Sequence, residues 1–141
     1  MKKALKFIGI ALAVLFIITI IGFLYLKNMP DVNLQQQTAA HSIDAIKFFN
    51  TYEKNPAKSD TKYMDQIVDI SGKISEISTD RKGATVIAMR ADDAISGVMC
   101  TFKENQTAKL AKYKLGDAIT VRGICVGMTL DVVLNKSEVI E

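Results

Sequence analysis

Twenty consecutive uncharged residues, FIGIALAVLFIITIIGFLYL from Phe7 to Leu26, constrain this chain more than any other feature. As an α-helix rising about 1.5 Å per residue, the run is roughly 30 Å long, the thickness of a bilayer's hydrocarbon core. Lys2, Lys3 and Lys6 precede it and Lys27 follows it. A cleaved secretory leader would have an apolar core of only about 7–15 residues and a small-x-small site just beyond it. Here the run ends Tyr25-Leu26-Lys27-Asn28-Met29-Pro30, Ala11 and Ala13 come too early, and Thr38, Ala39 and Ala40 come too late. No cysteine follows closely enough for a lipoprotein leader. The expectation is an uncleaved single-pass signal anchor over residues 1–27 in the cytoplasmic (inner) membrane. The leading lysines keep the amino terminus inside, and the rest of the chain is extracytoplasmic, or periplasmic.

The anchor also explains the formal charge of +3, because all 15 acidic residues lie beyond Pro30 while four of the 18 basic residues flank the run. What remains is fourteen basic against fifteen acidic residues, a near-neutral domain. Such a domain has no field for polyphosphate backbones, whose binding depends on neutralising many phosphates at once. Residues 28–40, with Pro30 and the run Gln35-Gln36-Gln37, are polar and aperiodic and read as a linker. Residues 41–141 are enough for one small core.

Ala45, Phe49 and Tyr52, with Ile46 beside them, recur at helical spacing between Ser42 and Glu53, and Asn55-Pro56 stops that helix. Pro56 suits the first position of a further short turn to Tyr63. From Gln66 the period becomes two, with Val68, Ile70, Gly72 and Ile74 on one track. Further strands are read at Ala84–Arg90, at 98–103 with Val98, Cys100 and Phe102 inward, at Ala118–Val126 and at Asp131–Ile140. A helix from Asn105 to Leu115, stopped by Gly116, falls between the third and fourth strands. The fold class is mainly β: a five-stranded OB-fold Greek-key barrel with one helix between strands three and four, preceded by a helix and the anchor. Gly72 and Gly123 interrupt inward tracks, as a small barrel with close backbone approaches requires.

Several pieces of the exported domain stand together: Tyr52-Glu53-Lys54-Asn55, Lys62-Tyr63, Ile70-Ser71-Gly72-Lys73-Ile74 and Val98-Met99-Cys100-Thr101-Phe102. They continue with Leu115-Gly116-Asp117, Gly123-Ile124-Cys125-Val126-Gly127 and Asp131-Val132-Val133-Leu134. On these pieces the stretch from about Ala45 to Ile140 resembles the tRNA-anticodon-like OB-fold family of small bacterial envelope proteins. The resemblance implies a fold and an envelope location, and no settled activity. Many relatives carry a third cysteine where Ser137 stands here, so no pairing is carried over.

Cys100 and Cys125 are the only cysteines. In an oxidising compartment they form either a disulfide, closing a loop of about 25 residues and worth roughly 3 kcal/mol, or two buried thiols acting as small apolar residues. His41 is the only histidine, and without partners it makes no metal site. There is no Cys-x-x-Cys pair, phosphate loop, nucleophile elbow or spaced carboxylate pair, so neither an enzyme nor a cofactor is expected. A ligand face would comprise Arg81, Lys82, Arg90, Met99, Thr101 and Lys103. Lacking an aromatic platform for bases, that face argues against nucleic acid. The expected function is a membrane-anchored binding module for an envelope protein or glycan, with single-stranded nucleic acid as the alternative.

Overall fold

The computed structural model describes residues 1–28 and 32–140. These fall into two compact units, Met1–Val32 and Asn33–Glu141. In the first, α1 (Lys2–Lys27) places the basic Lys27 in its last turn, where it complements the helix dipole. Lys6–Lys27 is long and apolar enough to cross a membrane. Large side chains such as Phe16 and Phe23 are bare, 67% exposed each, a surface suited to lipid and costly in water.

The second unit begins inside the stretch expected to be polar linker. Asn33 Oδ1 accepts from Gln35 N and starts a 3-10 turn, Leu34–Gln36, whose Leu34 is completely buried. Ala40 N then donates to Ile67 O and leads into β1 (His41–Asp44), which pairs parallel with β2 (Ile67–Lys73). The single helix expected from Ser42 is therefore a strand followed by α2 (Ala45–Lys54). Asp44 sets the boundary: its Oδ1 accepts from Ile46 N at 3.0 Å and Lys47 N at 3.1 Å, satisfying free amides of the first turn. The buried stripe of α2 is Ala45, Phe48 and Tyr52, with Phe49 half-covered and Ile46 exposed. Asn55 Oδ1 caps Lys58 N of α3 (Pro56–Tyr63), and Pro56 begins that helix as expected.

The remaining strands are β3 (Glu76–Thr79), β4 (Thr85–Met89), β5 (Val98–Phe102), β6 (Ala118–Met128) and β7 (Val132–Val139). They form one sheet in the order β1-β2-β6-β7-β5-β4-β3. Two expectations change: the described residues form seven strands, and their ladder is open, ending on β1 and β3, so among them a closed five-stranded barrel is not observed. The chain crosses between the two ends of the order at Ile74 and Ser75. Ile74 N donates to Asp117 O and Ser75 N to Ala88 O.

The expected helix Asn105–Leu115 is also shorter. A 3-10 turn at Glu104–Gln106 leads into α4 (Thr107–Leu110), with Leu110 buried and Leu115 65% exposed, and Asn105 caps nothing. Gly116 does close this segment, at φ +88°, a conformation that a side chain would strain.

The core is filled from alternate residues of the sheet, including Ile70, Ile87, Val98, Cys100, Val121 and Leu134, and is closed on one side by Phe48, Tyr52 and Tyr63. Tyr63 also meets His41 edge-on at 5.0 Å, so the histidine packs on an aromatic ring. The last strand lost its period because of a bulge. Between Leu134 and Ser137, β7 carries one residue more than β5 and β6 opposite it, and Lys136 sits at φ +52°. Gly72 and Gly123 are close approaches: a Cβ on the first would lie 2.9 Å from Ala45 Cβ, and on the second 2.8 Å from Ser137 Oγ.

Candidate ligand-binding faces

The outward residues of β4 and β5 were the sequence's candidate face. Register places Ala88 between Glu76 and Met99, and Val86 between Ser78 and Thr101. Met99 and Thr101 are half-buried there, beside Val86 and Ala88, which are 7% and 3% exposed. The six residues do not form one basic groove. Arg81 and Lys82 are exposed on the tight turn that Asp80 Oδ1 organises by accepting from Lys82 N and Ala84 N. Arg90 lies beyond the other end of β4, roughly 20 Å of strand away. Its Nη1 donates to Glu76 Oε2 at 2.7 Å, and its Nε is buried with no hydrogen-bond partner among the described residues. Lys103 is turned into the protein, with Nζ 2.7 Å from Glu138 Oε1 and side chains only 8% and 5% exposed.

That ion pair belongs to a row the sequence did not reveal. Glu138 is opposite Arg122 and Arg122 opposite Asp69, so Lys103, just past the end of β5, and Glu138, Arg122 and Asp69 of β7, β6 and β2 alternate in sign. Arg122 grips Asp69 with both arms, Nε to Oδ1 at 2.6 Å and Nη2 to Oδ2 at 2.7 Å, the fork geometry that only arginine offers. Its hydrogen bonds to Asp69 raise its pKa, against a smaller opposing effect of burial. Arg122 Nη1 also donates to the carbonyls of Leu34 and Gln37, fastening the 3-10 turn to the sheet. Outward arginine in a strand was the only sequence signal, and its partners are distant in the chain.

Cys100 and Cys125 are free thiols, both fully buried. Cys125 Sγ lies 3.3 Å from Tyr52 Oη. Burial pushes the Cys100 thiol up to about 12, and raises Cys125 as well. Neither is an accessible nucleophile. Among the described residues, no group of three or more His, Cys, Asp or Glu could hold a metal ion.

A further concavity takes in the end of β4. A groove of about 620 Å³ opens where the start of α2, the ends of β2 and β4 and the start of β6 converge. Its polar lining includes Ser71 and Thr120, whose hydroxyl oxygens are 3.0 Å apart, together with Lys73, Arg90, Asp44 and Asp92. Tyr113 and Ile140 also line it.

An open, antiparallel-rich sheet with a short helical segment between β5 and β6 is an OB-like arrangement. The chain belongs to the tRNA_anti-like family, whose model matches residues 1–139. Among solved structures it is similar to one from Klebsiella pneumoniae subsp. pneumoniae, named as a proposed nucleic acid-binding lipoprotein. The two are 18% identical with a TM-score of 0.58, covering 71% of this chain and 92% of that one. A structure of yeast Stn1 and Ten1 is 11% identical with a TM-score of 0.42, covering 77% of this chain and 66% of that one. No curated protein sequence matches the chain.

Proposed function

We propose that this protein is a non-catalytic binding module of the bacterial envelope, held by α1 in the cytoplasmic membrane. Its OB-like domain lies on the extracytoplasmic side and docks an envelope protein or glycan. The observation that carries the reading is α1 itself, an uncharged helix of bilayer length with lysines at its ends and bare apolar side chains. The positive-inside preference then orients it. The five-stranded OB plan is kept within this reading by treating β2 and β3 as two halves of one bent first strand, broken at Ile74-Ser75. The second half pairs with β4 and the first with β6. On that view β1 is an addition.

Cross-linking in intact cells with identification of captured material tests the function, and protease added to spheroplasts tests the topology. The domain is digested only where it is outside. A protected domain, or no enriched partner or glycan, counts against the proposal.

A second reading is single-stranded nucleic acid, favoured by the name given to the Klebsiella pneumoniae lipoprotein of similar fold. The strand face and loops that OB-folds use for oligonucleotides would here involve β4, β5 and the turn with Arg81 and Lys82. Against it stand the engagement of Arg90 with Glu76 and of Lys103 with Glu138. Anisotropy titration with single-stranded DNA and RNA at low salt decides it, since binding through phosphates must weaken steeply as salt rises.

A further inference from the structure

We infer that the groove beside α2 is a saccharide-binding site, a step that rests on reading the domain as an envelope-binding module. At about 620 Å³ the groove has the size of a small-ligand site, and of the six candidate-face residues it takes only Arg90. Its chemistry is mixed in a particular way. Lys73 and Arg90 supply donors, Asp44 and Asp92 supply acceptors, and the paired hydroxyls of Ser71 and Thr120 supply both. Each hydroxyl of a sugar both donates and accepts, so a polyol needs that combination. A sugar ring also has an apolar C–H face, which Tyr113 and Ile140 can meet.

Two other ligand classes fit less well. A phosphate chain needs an excess of cations, and here two acids stand against two bases. An extended peptide binds by adding to a free strand edge, but the edges this groove offers are short, Gly72 and Lys73 of β2 beyond its pairing with β1 and Met89 of β4 beyond its pairing with β3. Arg90 is held at the groove's wall by two carboxylates, with Nη1 2.7 Å from Glu76 Oε2 and Nε 3.9 Å from Asp131 Oδ1.

The test uses the full chain in detergent micelles, with saturation-transfer NMR and calorimetry on an N-acetylglucosamine disaccharide and on maltose. Saturable transfer to ring protons of either sugar is expected, with at least tenfold weaker binding in Tyr113→Ala and in Asp92→Asn. Tyr113 is half-buried and Asp92 exposed, and thermal unfolding of each variant checks that it is folded. Absence of saturable binding by both sugars overturns the site, as does binding that neither variant weakens. Silence of the sugars while the cross-linking experiment captures an envelope protein overturns this inference and leaves the module function standing. Salt-sensitive binding of an oligonucleotide with the sugars silent overturns both.

Discussion

Cys100 and Cys125 stand on opposite sides of one residue, Leu134, which pairs with Cys100 across β5–β7 and with Cys125 across β6–β7. Two strand spacings separate their Cα atoms by roughly 10 Å, beyond the reach of about 7 Å that a disulfide allows. The protein should therefore contain two thiols that a maleimide labels only after denaturation, with no mobility difference on reducing and non-reducing gels. Labelling of the native protein, or a mass two hydrogens short, would contradict this geometry.

Alkaline pH should destabilise the domain. An unfolded thiol ionises near its ordinary value of 9.0, whereas burial holds Cys100 up to about 12, so the folded state keeps its proton longer. The stability this confers is whole below about pH 9 and is lost as pH rises toward 12, by about 1.4 kcal/mol per pH unit for each such thiol. Burial raises Cys125 and Tyr52 in the same direction. Urea denaturation of the full chain between pH 7.5 and 11 should show this fall, with a shallower slope in Cys100→Ala. An unchanged slope in that variant would refute the assignment.

Arg122→Ala should cost about 3 kcal/mol, since it strands Asp69 in a site where both side chains are only 15% exposed. It also removes the donor to the Leu34 and Gln37 carbonyls, so limited proteolysis should cut within residues 33–40 in this variant first. Arg122→Lys retains charge without the fork and should recover less than half of the loss.

Gly123→Ala should destabilise by about 1–3 kcal/mol through overpacking. The new methyl would lie 2.8 Å from Ser137 Oγ and 3.0 Å from Leu134 Cβ. Ser137 Oγ is buried without a hydrogen-bond partner among the described residues, so Ser137→Ala alone should be neutral or stabilising. The double variant should regain part of the loss in a thermal melt. Strict additivity of the two changes would show that the sites are uncoupled.

Much of this architecture was legible locally. Period two gave the tracks of Val68 and Ile70 and of Val98, Cys100 and Phe102, because alternate residues of a half-buried strand face one core. Pro56 and Gly116 marked boundaries through backbone chemistry that needs no distant partner. β3 was not legible, since all four of its residues are exposed and no apolar track betrays an edge strand. Phe48, not Phe49, faces inward because the strand β1 and the cap at Asp44 set the phase of α2. The candidate face failed for a similar reason. Lys103 and Arg90 were counted as free charges, while Glu138 lies 35 residues from the first and Glu76 lies 14 from the second.

By itself the sequence determined the long uncharged helix, the near-neutral domain and the order of its main strands, since each depends on composition or on spacing along the chain. Tertiary structure alone decided that Leu134 keeps the two cysteines apart, that Arg122 fastens residues once read as linker, and that a groove opens beside α2. These are properties of register and of charge pairs between distant segments, and a linear pattern carries no record of which strand becomes a neighbour.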